Sequence, residues 1–200
     1  RIEVLNTGSS IFLGEGAGEK DDFTDNKNVF VGDDAGYSNV SGQYNVFTGN
    51  NAGRANTIGE HNLFSGHRAG VTTNTGSFNA FLGSLSGFSN TTGAGNLFIG
   101  YLSGYTNQTG DNNIFIGSAA GYNETGSDKL YIQNNSSTSP LIYGEFDNDF
   151  LQINGQSHIV AAITGSDEYI MTIENTKNNN SAYNNGLLIK AGHDSFTSRQ

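Results

Sequence analysis

A short hydrophobic block returns along the chain at a fixed distance. It reads Asn, an apolar residue, Phe, a variable residue and Gly, and polar residues separate one copy from the next. The blocks begin 17 residues apart, at Asn28, Asn45, Asn62, Asn79, Asn96 and Asn113. A second glycine follows each block, at Gly36, Gly53, Gly70, Gly87, Gly104 and Gly121. Such a period indicates a repeat architecture, in which each unit buries its apolar side chains against its neighbours.

A period of 17 residues is too short for helix-pair repeats of about 34 residues and suits one coil of a β-solenoid. The block predicts a short strand, and the glycines allow the backbone conformations that corners demand. An earlier copy begins at Ser10, and Lys129–Ile132 is a degenerate last one. We therefore expect an all-β fold, a β-solenoid (β-roll) of about seven coils, over residues 1–127.

Alternation along each strand predicts two apolar faces. The third position is always Phe, which we expect to stack from coil to coil as a core or inter-chain ladder: Phe30, Phe47, Phe64, Phe81, Phe98 and Phe115. The flanking residues face the other way and are also largely apolar, as in Leu97 and Ile99. One narrow core accounts for one face only, so the other needs a partner. We expect further copies of the chain, and a wider solenoid or a covering local domain is the alternative.

Two interpretations of the repeated Asn stay open at this stage. Stacked asparagines can pass side-chain hydrogen bonds from coil to coil as a ladder. Asn also tolerates the left-handed conformation of a corner. Both interpretations make these asparagines, together with the second glycines, coil-corner residues.

The region after the repeats predicts two further segments. Residues 128–155 form a β-rich exit or cap, in which Leu141–Phe146 and Phe150–Ile153 read as strands joined by a turn at Asp147–Asp149. Residues 156–200 predict a small β domain that we expect to be truncated at its C-terminus, because we expect the chain to be an excerpt of a longer polypeptide. Its strands are Glu168–Glu174 and Gly186–Gly192, with an Asn-rich hairpin tip between them.

Composition and charge narrow the classes of function. The 28 Gly and 27 Asn among 200 residues would fit a disordered chain. However, 13 Phe and 9 Tyr supply enough apolar surface for a buried core, and about half of the Gly and Asn occupy the repeated positions of the 17-residue period. The net charge of −10 disfavours nucleic acid, because a phosphate backbone requires Lys and Arg. No apolar run is long enough for a membrane-spanning helix, and we expect no membrane insertion. The absence of Cys excludes a disulfide scaffold.

The chemistry-bearing residues show no catalytic or metal-ligating pattern. The glycines at Gly14–Lys20 lack the spacing of a phosphate loop, and the four His lack ligand spacing. Asp33–Asp34 and Asp147–Asp149 are interpreted as solvated turns. Within the regular coils the acids are Asp33, Asp34, Glu60, Asp111 and Glu124. No two of these share a column in adjacent coils, which disfavours a glycoside-hydrolase carboxylate pair. We expect no catalytic residue, no cofactor and no metal.

The repeat Asn-x-Phe-x-Gly-x-x-Ala/Ser-Gly resembles the head repeats of trimeric autotransporter adhesins. It is more similar still to repeat-rich tail-fibre proteins of phages and of phage-derived contractile injection systems, over roughly residues 10–155, with clear copies at Asn96–Gly100 and Asn113–Gly117. The adhesin heads usually have shorter repeats with a small residue in place of Phe. The resemblance implies a parallel homotrimer. It also implies other fibre or baseplate proteins as partners, and a place on a virion tail or extracellular injection particle.

These observations predict a structural, non-enzymatic tail-fibre segment that contributes to attachment to a target-cell surface glycan or protein. The alternatives are the head of a trimeric adhesin on a bacterial outer surface and, third, a glycan depolymerase. Aromatic and basic residues near the second glycine are candidate receptor contacts if they project outward, and corner fillers if they project inward: Tyr37, Arg54, Arg68, Tyr105 and Tyr122.

Overall fold

The computed structural model describes residues 9–154. The described part is an all-β solenoid of about seven coils with almost no helix, as the repeat predicts. The strands expected at Glu168–Glu174 and Gly186–Gly192 lie outside the described residues.

Each coil contributes one three-residue strand to a single sheet whose strand order is the chain order. The seven repeat strands are β1 (Ile11–Leu13), β2 (Val29–Val31), β3 (Val46–Thr48), β4 (Leu63–Ser65), β5 (Ala80–Leu82), β6 (Leu97–Ile99) and β7 (Ile114–Ile116). All pair in parallel and in equivalent register, so that Phe30 is opposite Phe47 and Phe47 opposite Phe64. The 17-residue period therefore places each residue directly above its equivalent in the coil before.

The phenylalanine column is the apolar core of these coils. The six rings from Phe30 to Phe115 are fully buried. Their centroids lie 4.7–4.8 Å apart with planes tilted by 3–8°. This spacing equals the distance between hydrogen-bonded strands, and it falls within the range where offset stacking of aromatic rings is favourable. Burial of each ring contributes about 1.5–3 kcal/mol.

Glycine is required at two of the repeated positions for different physical reasons. Gly70 has a φ of +56°, and a Cβ on it would lie 2.6 Å from the ring of its own Phe64. Gly76 has no such φ, but a Cβ on it would lie 2.5 Å from the carbonyl oxygen of Gly93 in the next coil. The first glycine permits a left-handed corner against the core, and the second permits close approach of two backbones.

The repeated Asn side chains form a buried ladder, and the interpretation that they occupy left-handed corners is wrong. The backbone N–H of Asn45 donates to Oδ1 of Asn28 over 2.8 Å, and the Asn45 amide donates to the carbonyl of Gly59 over 2.8 Å within its own coil. The backbone bond to the preceding Asn repeats up to Asn113. None of the six has a positive φ.

The left-handed residue is the one just before each Asn, for example Tyr44, His61 and Phe78, with φ of 56–60°. That preceding turn aims the amide of the Asn inward, where it satisfies backbone groups at a corner of the coil.

A second buried column of polar residues lies eleven positions after the first Asn of each coil. It contains Asn39, Asn56, Thr73, Asn90 and Asn107. Where two asparagines are adjacent, the amide of Asn56 donates to Oδ1 of Asn39 over 2.7 Å. Thr73 breaks the column, and Oδ1 of Asn56 and Nδ2 of Asn90 are left buried without a partner.

The solenoid ends in a change from parallel to antiparallel pairing. Strand β8 (Lys129–Ile132) still pairs in parallel with β7, so the solenoid sheet extends a few residues past the expected boundary at 127. Strand β9 (Ile142–Glu145) then pairs antiparallel with β8, and β10 (Phe150–Ile153) with β9. The expected strand pair is confirmed, and a 3₁₀ turn over Phe146–Asn148 with Asp149 at φ +51° joins it.

Thr73→Asn is expected to stabilise the solenoid. Its amide would donate to Oδ1 of Asn56, and its own Oδ1 would accept from Asn90 once that amide turns to the orientation found at Asn56. Satisfying two buried polar atoms should raise the free energy of unfolding by about 1–3 kcal/mol.

The measurement is denaturant unfolding followed by circular dichroism, with the exposed Thr75→Asn as the matched control. An unchanged or lowered midpoint for T73N would contradict this account of the second column.

Candidate binding surfaces

The outward face of strands β1–β7 is apolar and free of charge. Of its fourteen outward side chains, only Thr48 and Ser65 are polar, and none is ionisable. Several are substantially exposed, among them Leu13 at 63%, Leu63 at 41% and Val46 at 38%. We call these fourteen residues the strand face. Such a contiguous apolar column is uncommon on an isolated chain and is typical of an interaction surface.

The strand face takes its side chains from the same strands as the core. Because the pleat alternates, fixing every Phe inward fixes its two neighbours outward. The inward side chains of the ladder, from Phe30 to Phe115, are fully buried within their own coils and leave no ring surface for another chain.

Four of the candidate receptor contacts lie in one column directly after the second glycine of each coil, and Arg68 lies two residues before that glycine. Tyr37, Tyr105 and Tyr122 are half-buried rather than enclosed, and Arg54 and Arg68 are exposed. Tyr105 stacks on Phe88 at 4.9 Å and on Tyr122 at 5.0 Å, with planes within 9°. Both faces of the Tyr105 ring are therefore covered by its neighbours. A column of this kind presents ring edges to solvent and cannot stack a sugar along its length.

The two arginines are partly engaged within the chain. Arg54 pairs with Asp34 at 3.1 Å, and its guanidinium lies 5.2 Å from the centroid of the Tyr37 ring. Arg68 lies 5.7 Å from the centroid of the Phe88 ring. These contacts place the cations against aromatic faces, where each contributes about 0.5–1 kcal/mol at an exposed site.

A second stacked column was not singled out from the sequence. Tyr44, His61 and Phe78 stack at 4.8 and 5.0 Å, and the Lys27 amine lies 5.2 Å from the Tyr44 ring centroid. Phe78 is 65% exposed at a φ of +60°. The sequence does place these residues at one repeated position, directly before each repeated Asn. Their stacking was not expected, because a left-handed backbone is rare for bulky aromatic residues.

Two tyrosines of the cap have the largest pKa shifts among the described residues. The Tyr131 ring lies edge-on to Phe115 at 5.3 Å, and Tyr143 lies edge-on to Tyr131 at 5.3 Å. The Tyr131 hydroxyl donates to Glu124 over 2.8 Å, and the Tyr143 hydroxyl donates to Glu145 over 2.6 Å. Burial, followed by the hydrogen-bonded carboxylate, raises the pKa of Tyr131 well above its usual range and that of Tyr143 to about 12.

Residues 9–154 contain no group of three or more His, Asp and Glu side chains that could hold a metal ion. Within the same range no helix has the length and apolarity needed to cross a membrane.

Comparisons of the chain with protein-family models, with curated proteins and with solved structures gave no match.

The cap should lose stability at high pH. A tyrosine whose folded pKa is raised stabilises the fold fully below its unfolded pKa near 10, and this contribution is lost as the pH rises through the folded value of about 12. Between these values the wild type should therefore lose more stability than Tyr143→Phe, which has no hydroxyl to ionise.

The direct measurement is an NMR titration of the tyrosine ring carbons, assigned with Y143F. Ionisation of Tyr143 at its ordinary value of about 10 would contradict the described environment.

Proposed function

We propose that this chain is a structural, non-enzymatic segment of a tail fibre, on a phage or a phage-like contractile injection particle, and that it works as a parallel homotrimer. Its role is to form a stiff rod that extends from the particle and contributes to attachment to a target-cell surface glycan or protein. Other fibre or baseplate proteins are its further partners. The observation that supports self-assembly is the uncharged, apolar strand face.

A second copy of the chain is the occupant that best matches the strand face. The face repeats every coil at the strand spacing of about 4.8 Å, and an equal chain in parallel orientation has the same repeat at the same heights. The chain has a net charge of −10, so the close approach of two copies costs the least free energy where the facing surfaces carry no charge. The strand face meets that condition.

The number of copies comes from the resemblance of the repeat to tail fibres and trimeric adhesin heads, whose rods are three-chain assemblies. Three strand faces can close around one axis, which leaves no apolar face in solvent. The coils also supply a mechanical property suited to a rod, because each one is joined to the next by backbone hydrogen bonds, stacked rings and the Asn ladder.

The head of a bacterial surface adhesin is the alternative, favoured by the same repeat. It differs in location rather than in fold. A glycan depolymerase ranks third, because no two of the acids Asp33, Asp34, Glu60, Asp111 and Glu124 share a column in adjacent coils, and glycoside hydrolysis needs a pair of carboxylates. The flanking sequence separates the first two: a membrane-anchor barrel indicates an adhesin, and a baseplate-attachment domain indicates a fibre.

Leu97→Asp is expected to dissociate the assembly without unfolding the coils. Leu97 is an outward residue of β6, and a charge there would be buried against a partner without compensation. Sedimentation velocity should give three times the chain mass for the wild type and one chain mass for L97D, with unchanged circular dichroism.

The matched control is Gln108→Asp, an exposed change of similar charge in the same coil that should remain a trimer. A folded wild type that sediments as a monomer at high concentration would overturn the proposal.

A further inference from the structure

The cap continues the apolar side of the sheet although the direction of its strands changes. Leu130 and Ile132 of β8 lie opposite Ile114 and Ile116 of β7, so they project to the same side as the strand face. The pairings of β8 with β9 and of β9 with β10 carry that side across the antiparallel hairpin. Its six positions, which we call the cap face, are Leu130, Ile132, Ile142, Gly144, Leu151 and Ile153.

The two sides of the cap sheet differ in chemistry. The cap face contains no polar or charged side chain. Both charged residues of β8–β10 lie on the opposite side, where the Lys129 amine is 3.9 Å from the Glu145 carboxylate. Gln152 and the two hydrogen-bonded tyrosines, Tyr131 and Tyr143, lie on that side as well.

This distribution is the reverse of the one expected where a sheet covers the end of a single chain. An antiparallel sheet with one solvated face packs its apolar side chains on the core and points its polar ones to water. In the cap, the side that packs on the phenylalanine column, through Tyr131 and Tyr143, carries the charges and the hydrogen bonds. The side that faces away from the column is the apolar one.

The cap face is most exposed at its last strand. Leu151 is 65% exposed and Ile153 is 54% exposed. Within the part of the chain that the structure describes, β10 is also the edge strand of the sheet. Large apolar side chains on an edge strand promote association unless another surface covers them.

A second copy of the chain is the occupant that matches the cap face. The cap face adjoins the strand face on one continuous sheet, and no polar row separates them at the step from β7 to β8. In the parallel assembly proposed above, the caps of all copies lie at the same height, so each cap face meets its equivalents around the shared axis. Neither face carries a charge, which keeps the electrostatic cost of approach low.

We infer that the cap face is the C-terminal end of the interface between copies of this chain. The inference rests on the proposed parallel homotrimer and extends its contact surface from the repeat coils to the antiparallel cap. The strand direction reverses at β9, but the side of the sheet that contacts the partner stays the same.

The experiment compares Ile153→Asp with Gln152→Asp in the full chain. The two residues are adjacent in β10 and both exposed, but they project from opposite sides of the sheet. In sedimentation velocity over a dilution series, I153D should dissociate at a concentration at least tenfold higher than the wild type, because it places an unpaired charge in the interface. Q152D should dissociate at the wild-type concentration, and both variants should keep the wild-type circular dichroism.

A second pair of variants, Ile153→Cys and Gln152→Cys, tests the same contact without an introduced charge. A short bifunctional maleimide should join I153C to its own copy and should leave most of Q152C uncoupled. A wild-type trimer in which I153D and Q152D dissociate alike and I153C does not couple would overturn the inference while the trimer stands.

An unfolding midpoint lowered in I153D, with unchanged association, would also overturn the inference, because it would show that the cap face is covered within one chain. A wild type that sediments as a monomer would contradict the homotrimer itself and the inference with it. The two failures are therefore distinguishable.

Discussion

The vertical distance between adjacent coils, set by parallel strand pairing near 4.8 Å, is the constraint on which the rest of this structure depends. Every residue must tolerate a copy of its own position at that distance above and below it. Phe satisfies the constraint by ring stacking, Asn by accepting at its Oδ1 the backbone N–H of the Asn in the next coil, and Gly76 by having no Cβ where two backbones meet. In this chain, a composition rich in Gly and Asn therefore indicates an ordered stack of coils and not a disordered segment.

The same constraint explains which features could be predicted from the sequence. The strands, the Phe column and the approximate number of coils follow from a period that only stacking maintains. The conformation of the corners could not be deduced, because Asn suits both a ladder and a left-handed turn, and the hydrogen bonds of Asn28 and Asn45 decide between them. The left-handed position before each Asn falls on bulky aromatic residues at Tyr44 and Phe78, for which this conformation is unexpected.

The candidate surfaces were predictable to different degrees. The strand face follows from the alternation of residues around each Phe, and its exposure accords with that expectation. The column through Tyr105 was visible as a spacing, but its ring orientation depends on neighbours at the stacking distance and not on the spacing itself.

Cross-linking of single introduced cysteines tests the central claim most directly, since the chain has no Cys of its own. Val31→Cys and Ile116→Cys lie on the strand face in β2 and β7. In a parallel assembly each residue is close to its own copy, so each variant alone should cross-link efficiently through a short bifunctional maleimide. Cross-linking only when the two variants are mixed would indicate antiparallel pairing, and no cross-linking in either case would show that the strand face does not join copies of this chain.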